Sequence, residues 1–323
     1  MKISDERPVE QTDKIFVVVV CGPTASGKTK LAVDLALKFG GEVVSADSMQ
    51  IYKGMDIASA KPTKAEKMGV PHHLMDFLEP TQPFSVADYV VMARDVIADI
   101  HVRGKLPVIC GGTGLYINSL IDNIEFDDTG SAPDYRAELN ALASEKGNAY
   151  VLEMLRNVDP EAAAQLHENN LKRIIRALEV YKLSGKTMTE AKAASRLNPS
   201  PYEPCMMMID HPREVLYERI DRRVDIMLEA GLEAEAREFF THTDYVTASQ
   251  AIGYKELKPY IDGELGLAEC VETLKRETRR YAKRQLTWFK KDGRIEHILS
   301  SNEVKYGEIL INAEKLIKKY SFL

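Results

Sequence analysis

Short apolar runs alternate with helical patterns over the first third of the chain. Ile15–Val20 is a continuous β-branched run, and similar buried-strand patterns lie at Glu42–Asp47 and Pro107–Cys110. Between the last two, apolar residues at helical spacing predict a helix over Val86–Val102 that Ser85 would cap. Strands that alternate with helices predict a parallel sheet, whose functional site lies at the carboxyl ends of the strands.

The pattern changes after residue 126. Between residues 127 and 198 it contains no strand-like run, and helical patterns follow one another. Further strands are predicted at Cys205–Ile209 and Ile295–Leu299, with long helices between them. We therefore expect an α/β core formed by residues 14–126 and 199–323, and an all-helical insertion domain at residues 127–198. The helices predicted in the insertion and at the end of the chain are Pro133–Lys146, Ala149–Arg156, Pro160–His167, Leu171–Leu183 and Tyr306–Tyr320.

A complete phosphate-binding loop follows the first predicted strand. It consists of Gly22, Pro23, Thr24, Ala25, Ser26, Gly27, Lys28 and Thr29. In such a loop the glycines let backbone amides close around phosphate oxygens, at the positive end of a helix dipole. We expect Lys28 to reach the terminal phosphates and the Thr29 hydroxyl to ligate Mg²⁺. The motif predicts a P-loop NTPase-like core that binds a di- or triphosphate.

Composition narrows the class of protein. The hydrophobic content of 45% and the charged content of 28% are those of an ordinary globular protein. No apolar run approaches the ~20 residues of a membrane span, and the N-terminus lacks the pattern of a signal peptide. We therefore expect a cytoplasmic protein with no membrane partner. The four cysteines are scattered, which argues against structural zinc and against a disulfide framework.

The net charge of −6 conceals a strongly basic segment near the end of the chain. Nine Lys/Arg lie between Lys275 and Arg294, against only Glu277 and Asp292, so this segment carries a charge of +7. The positive charges recur at helical spacing over Lys275–Lys291, which predicts a helix with one basic face. A local field of this kind points to a nucleic-acid partner in spite of the negative total.

Motifs elsewhere in the chain limit the reactions that could use the phosphate loop. A GTPase needs Asn-Lys-x-Asp, and none of the asparagines is followed by lysine. The strand at Pro107–Cys110 ends in Gly-Gly-Thr-Gly instead of the acidic residue of a motor ATPase. A transferase that holds a leaving or transferred phosphate remains. Two alternatives stay open: a small-molecule or nucleotide kinase, and an RNA-binding protein in which a nucleotide acts as a switch.

An ordered set of motifs runs along the chain. Its segments are Gly22–Thr29, Ser45–Ile57, Ala60–Pro62, Pro71–Asp76, Gly111–Tyr116, Arg173–Val180, Arg223 with Met227–Leu228, Gln250–Lys255 and Ala282–Trp288. This set resembles the bacterial type of the tRNA dimethylallyltransferase (tRNA isopentenyltransferase, IPP transferase) family. Many families share the phosphate loop, but the ordered set is far more specific. The resemblance extends from about residue 14 to residue 291.

The resemblance implies that a dimethylallyl group moves from its diphosphate to the exocyclic amine of the adenine 3′-adjacent to a tRNA anticodon, giving N6-isopentenyladenosine. An allylic diphosphate leaves by ionisation, so the loop, Lys28, Mg²⁺ and, by resemblance, Arg223 would stabilise the pyrophosphate charge. The amine must lose a proton as it attacks, and Asp47 is suited to accept it. Thr113 is expected to hydrogen-bond in the same pocket.

The resemblance also implies the contacts with tRNA. Because the adenine amine is hidden in a stack, the base must be unstacked and inserted among protein groups, for which Ser48, Met49 and Gln50 are candidates together with Asp47. We expect a monomer that binds the anticodon stem-loop through clustered cations, the helical insertion contributing part of the surface. The remaining residues predicted to contact substrate or tRNA are Lys172, Arg173, Arg176, Gln250, Gly253, Lys255, Arg280, Lys283 and Arg284.

Overall fold

A computed structural model describes residues 14–126, 130–195, 198–242, 245, 251–301 and 304–320. The chain divides into two compact units. The first ends at Ile121 and resumes at Pro201, and the second is Asp122–Ser200. Within the described ranges, no helix has both the length and the apolar character needed to cross a membrane.

The described part of the first unit contains a sheet of six parallel strands. The strands are β1 (Ile15–Cys21), β2 (Gly41–Ser45), β3 (His72–His73), β4 (Leu106–Gly111), β5 (Tyr202–Asp210) and β6 (Glu296–Leu299). Their order is β3-β2-β4-β1-β5-β6, so β2, β4 and β1 are neighbours. The parallel sheet predicted from the apolar runs is confirmed, and Val17–Val20 of β1 are completely buried in it.

The helices include those that the periodicity predicts and others that it does not. In chain order they are α1 (Lys28–Phe39), α2 (Lys64–Lys67), α3 (Val86–Val102), α4 (Gly114–Ile121), α5 (Pro133–Lys146), α6 (Asn148–Val158), α7 (Pro160–Ala164), α8 (Leu171–Ser184), α9 (Met188–Ser195), α10 (Arg213–Glu229), α11 (Leu232–Phe239), α12 (Tyr254–Ile261), α13 (Leu267–Phe289) and α14 (Tyr306–Tyr320). The predicted bounds of α3, α5 and α14 are confirmed, and Ser85 caps α3. No pattern predicted α4, because this short helix is too uniformly apolar to show a polar face.

Helices cover both faces of the sheet. On one face α3 and α4 pack together, with the rings of Tyr89 and Tyr116 stacked 4.2 Å apart. On the other face α1 and α14 pack through residues such as Leu35 and Ile317. A third apolar cluster joins α10–α13 to the segment that follows β2. Because both faces are covered, the carboxyl ends of the strands are the part of the sheet that can receive a ligand.

The second unit holds a carboxylate inside its helical core. Helices α5–α8 surround an apolar cluster, and Glu179 of α8 is fully buried beside it. Arg136 donates two hydrogen bonds to Glu179, at 2.6 and 2.7 Å, and Arg176 donates a third at 2.6 Å. The backbone N–H of Ala132 adds a fourth. Burial by itself raises the pKa of Glu179, but the four hydrogen bonds outweigh this effect and hold the pKa at about 2.

We expect Glu179→Gln to loosen the second unit at neutral pH, because it removes the charge that two arginines share. The pKa of Glu179 is lowered on folding from 4.5 to about 2, so its contribution to stability is complete above pH 4.5 and is lost as the pH falls toward 2. A shift of this size corresponds to roughly 3 kcal/mol. Amide hydrogen exchange of α8 at pH 7 should therefore show a lower opening free energy in the variant, and the difference from the unmodified protein should shrink toward pH 3.

The matched control is Glu145→Gln, which changes an exposed glutamate of α5. Equal effects of the two substitutions on α8 would contradict a structural role for the buried carboxylate.

Candidate active site

The predicted site residues meet at the carboxyl ends of three neighbouring strands. The phosphate loop follows β1, Asp47 follows β2, and Thr113 follows β4. Adjacent parallel strands bring these segments side by side: the backbone N–H of Ala46 donates to Cys110 at 2.8 Å, and that of Thr113 donates to the carbonyl of Ala46 at 3.1 Å. The convergence expected from the strand order is thus observed.

The backbone of the phosphate loop is fixed from outside at three points. The Nε–H of Arg219, on α10, donates to the carbonyl of Ala25 at 2.7 Å. The Nε2–H of His211, which follows β5, donates to the carbonyl of Ser26 at 2.8 Å. The backbone N–H of Thr24 donates to the Oε1 of Gln285, on α13, at 2.9 Å. The loop is therefore held in place by its protein neighbours rather than only by its own turns.

The Gly-Gly-Thr-Gly turn after β4 owes its composition to close packing. A Cβ added at Gly111 would lie 2.1 Å from the carbonyl oxygen of Ala46. One at Gly112 would lie 2.3 Å from the side-chain nitrogen of Gln285, and one at Gly114 would lie 2.3 Å from the Trp288 ring. These glycines let β2 and α13 approach the end of β4 more closely than any side chain would allow.

Gln285 ties the phosphate loop to the turn after β4. Its side-chain oxygen accepts the Thr24 N–H, and its side-chain nitrogen donates to the carbonyl of Gly112 at 2.9 Å. The side chain is buried, and both ends of its amide are paired. Sequence reasoning placed Gln285 within a motif but assigned it no role. A glutamine on the apolar side of a basic helix was the signal that could have revealed it.

Asp47 opens a turn that its own side chain stabilises. Its Oδ1 accepts the backbone N–H of Met49 at 2.9 Å and that of Gln50 at 3.4 Å. The hydroxyl of Thr113 accepts the N–H of Ser48 at 3.0 Å, so the turn is also tied to β4. The side chain of Gln50 donates to the carbonyls of Ser59 and Ala60, each at 3.2 Å. The position of the Asp47 carboxylate is thus set by the surrounding hydrogen bonds.

A cavity of about 300 Å³ lies against these segments. Its polar side is formed by Thr24, Lys28, Thr29, Asp47, Ser48 and Arg223. Its apolar side is formed by Ala58, Val224, Met227, Ala251, Ile252 and Leu274, whereas the apolar Ile220 packs beside Ala25 of the phosphate loop. Met49, Gln50, Ser59, Ala60, Lys255, Thr278, Tyr281, Arg284 and Gln285 complete the lining. The cavity therefore offers phosphate-binding groups on one side and hydrocarbon on the other.

Two cations and one carboxylate share the polar side. Burial lowers the pKa of Lys28, whose Nζ donates to the carbonyl of Pro23 at 3.3 Å, and the nearby Arg223 lowers it further. Burial likewise lowers the pKa of Arg223, and the Asp47 carboxylate opposes that shift. Both cations are poorly hydrated, so an anionic ligand would stabilise their charged forms.

Comparison with known proteins identifies the family. A model described as IPP transferase matches residues 50–292, and one described as isopentenyl transferase matches residues 15–76. The chain belongs to the IPP transferase family. The family predicted from the ordered motifs is confirmed, and so is the P-loop NTPase-like fold.

Relatives of this family are similar over nearly the whole chain. The tRNA dimethylallyltransferase of Caldanaerobacter subterraneus subsp. tengcongensis is 48% identical over 313 residues, which are 95% of this chain and 99% of that protein. The crystal structure of the full-length tRNA isopentenylpyrophosphate transferase from Bacillus halodurans has a TM-score of 0.71 and 43% identity, covering 95% of this chain and 96% of its own. A eukaryotic dimethylallyltransferase acting on tRNA gives a TM-score of 0.81 at 28% identity, over 94% of this chain and 80% of its own.

The basic face predicted over Lys275–Lys291 lies mainly on α13, and the structure divides its cations into two groups. Four are engaged in ion pairs, Lys275 with Asp225, Arg279 with Asp221, and both Arg276 and Arg280 with Glu277. Lys283 and Arg284 are exposed and form no ion pair within the described residues, and Arg284 lies over the Tyr281 ring at the cavity. Lys283 and Arg284 are therefore members of this basic face that can meet an external anion.

The other predicted contacts with substrate or tRNA have varied surroundings. Lys255 is exposed at the cavity, 3.6 Å from Glu256, and the buried Gly253 begins α12. In the second unit, Lys172 and Arg173 are exposed on α8, whereas Arg176 is bound to the buried Glu179. Gln250 lies outside the described residues.

We expect Gln285→Leu to weaken the binding of inorganic pyrophosphate, because the Thr24 N–H and the Gly112 carbonyl both lose their partner. An unsatisfied buried polar group costs about 1–3 kcal/mol, which corresponds to about 5- to 150-fold in affinity if the loop relaxes. Titration calorimetry of the purified protein measures this loss. Asn118→Leu is the control, because it removes the 3.2 Å hydrogen bond from Trp288 on α13 without touching the loop. An equal loss of affinity in both variants would contradict a role of Gln285 in holding the phosphate loop against the turn after β4.

Proposed function

We propose that this protein transfers the dimethylallyl group of dimethylallyl diphosphate to the exocyclic amine of the adenine 3′-adjacent to a tRNA anticodon. The observation that carries this proposal is the two-sided cavity, which joins a phosphate loop and two cations to a carboxylate and an apolar wall. A diphosphate ester of a small hydrocarbon matches both sides. The relatives named tRNA dimethylallyltransferase support the same reaction.

The diphosphate binds to the loop that follows β1. The loop leads into the N-terminus of α1, where free backbone amides and the helix dipole favour negative charge. Lys28 and Arg223 lie at the same side of the cavity. As the C–O bond breaks, negative charge grows on the departing pyrophosphate, and these fixed cations stabilise it more than they stabilise the intact donor.

Thr29 is the residue that fits a Mg²⁺ ion. It lines the cavity beside Lys28, and no cluster of three His, Cys, Asp or Glu within the described ranges offers a closed metal site. Mg²⁺ keeps several waters and needs only one or two protein ligands beside phosphate oxygens, so a single hydroxyl at the loop suits it. When bound, the ion would neutralise part of the charge on the pyrophosphate.

The two carboxylate oxygens of Asp47 have different roles. Oδ1 is used by the turn, where it accepts the N–H groups of Met49 and Gln50. Oδ2 has no hydrogen-bond partner within the described residues and belongs to a side chain that lines the cavity. The adenine nitrogen forms its bond to the allylic carbon as pyrophosphate leaves, and Oδ2 accepts the proton that the amine releases.

The adenine enters beside the turn that follows Asp47. Ser48, Met49 and Gln50 line the cavity there, and Gln50 is anchored to the carbonyls of Ser59 and Ala60. Thr113 supports the same turn through the N–H of Ser48. A base reaches this position only after leaving its stack, which is easiest for an unpaired loop nucleotide. This favours an anticodon loop over a duplex as the acceptor.

The body of the tRNA is bound by exposed cations. Lys283, Arg284 and Lys255 lie at or near the cavity, and Lys172 and Arg173 offer a further basic surface on the helical insertion at residues 127–198. Arg280 is exposed beside Glu277, and Arg176 would reach a phosphate only by leaving Glu179. Phosphate contacts of this kind fix the position of the RNA. We propose that a monomer carries out the reaction.

The proposal is tested with radiolabelled dimethylallyl diphosphate and a tRNA whose anticodon is followed by adenine. We expect label to enter the tRNA, and Asp47→Asn to lower the rate of transfer by about 10²–10⁴-fold because the base is lost. The asparagine oxygen can still accept the turn N–H groups, so donor and tRNA affinities should stay within about twofold. Asp95→Asn, an exposed change on α3, is the control. Consumption of ATP without tRNA would instead identify a kinase.

We also expect Lys283→Gln to weaken tRNA binding and to lower the slope of log affinity against log salt by about 1, as the loss of one phosphate contact should. Fluorescence anisotropy with labelled tRNA over a range of salt concentrations measures the slope. Lys315→Gln, which removes an exposed lysine of α14, should leave the slope unchanged. A slope that both changes reduce equally would indicate a non-specific effect of net charge.

A further inference from the structure

We infer that Leu274 of α13 and Val224 of α10 determine the length of the prenyl chain that the protein accepts, and restrict the donor to five carbons. This inference rests on the proposed function. It concerns the apolar side of the cavity, whose buried members are Val224, Ala251 and Leu274.

The cavity-lining residues of α13 lie at successive distances from the proposed diphosphate site. Leu274, Thr278, Tyr281 and Gln285 all line the cavity and recur every three or four residues, so they share one face of the helix. Gln285 contacts the phosphate loop through the Thr24 N–H. Eleven residues separate Gln285 from Leu274, which places their backbones about 16 Å apart along the helix axis. On this face, Leu274 is the lining residue farthest from the phosphates.

Helix α10 contributes apolar lining residues on both sides of Arg223. Arg219 contacts the phosphate loop at the carbonyl of Ala25, and Arg223, one turn later, lines the polar side. Val224 and then Met227 follow on the cavity surface. Val224 is thus close enough to Arg223 to contact a hydrocarbon whose diphosphate that arginine binds. The order of residues along α13, and the position of Val224 next to Arg223 on α10, predict that a donor lies with its hydrocarbon directed toward Val224 and Leu274.

Packed core lies behind these two side chains. Leu274 is 1% exposed and Val224 is 2% exposed, and both belong to the cluster that contains Leu232, Tyr254 and Leu257. A prenyl group five carbons longer would have to displace this core. Displacing well-packed side chains costs free energy. The cavity of about 300 Å³ must also admit the adenine ring beside the donor. These two conditions together favour the shortest allylic donor.

The test compares the transfer of dimethylallyl and geranyl groups to tRNA, each as the diphosphate, by kcat/KM. We expect the unmodified protein to prefer the five-carbon donor by at least about a hundredfold, because an apolar pocket discriminates about 10–200-fold for a single methylene. Leu274→Ala should reduce this preference by at least about tenfold. Val224→Ala should reduce it by a smaller factor, because it removes less volume and disturbs the core less.

The control is Leu257→Ala, which truncates a buried leucine of the same cluster that does not line the cavity. It should lower stability and leave the donor preference unchanged. A preference that none of the variants alters, in protein shown by circular dichroism to be folded, would overturn the inference, as would an equal change in Leu257→Ala.

Binding of the two diphosphates without tRNA separates this inference from the proposed reaction. Calorimetry should show geranyl diphosphate binding at least about tenfold more tightly to Leu274→Ala than to the unmodified protein. That gain without any transfer to tRNA would support the chain-length role and refute the proposed reaction. Transfer of the dimethylallyl group without any gain in geranyl diphosphate binding would support the reaction and refute the chain-length role.

Discussion

The site depends on the bridge that Gln285 makes between the phosphate loop and the turn after β4. One side-chain amide pairs the N–H of Thr24 with the carbonyl of Gly112, at 2.9 Å on each side. The bridge is possible only because Gly112 has no side chain in the space that the amide occupies. Since Gln285 lies on α13, the same contact sets the position of the helix that forms one wall of the cavity. The loop, the turn and the wall are therefore fixed together.

A second feature of the site is the separation of charge from hydrocarbon within one cavity. Lys28 and Arg223 are shielded from solvent, and this burial lowers the pKa of both. A diphosphate would therefore stabilise their charges. Val224 and Met227 of α10, and Leu274 of α13, lie farther along their helices, away from Arg219 and Gln285, which contact the loop. A ligand that is anionic at one end and apolar at the other therefore has one orientation in which both ends are satisfied.

Much of the fold could be predicted because its signals are local. The β-branched run before the phosphate loop forms β1, and Ser85 caps α3 through a hydrogen bond three residues away. Contacts between distant residues had no such signal. The periodicity of α13 predicted a continuous basic face, but Lys275 and Arg279 are paired with Asp225 and Asp221 of α10. Glu179 of α8 is likewise paired with Arg136 of α5, 43 residues earlier in the chain.

The sequence by itself determined the family, the phosphate loop and the three strand ends at which the site lies. These depend on residue types at fixed spacing, such as glycines where the backbone must approach closely and β-branched residues where a strand is buried. Only the tertiary structure decided which cations of α13 pair with Asp221 and Asp225 of α10 and that Gln285 joins two loops. Each depends on partners that are distant in the chain, because a side chain is free or engaged according to what the fold packs against it.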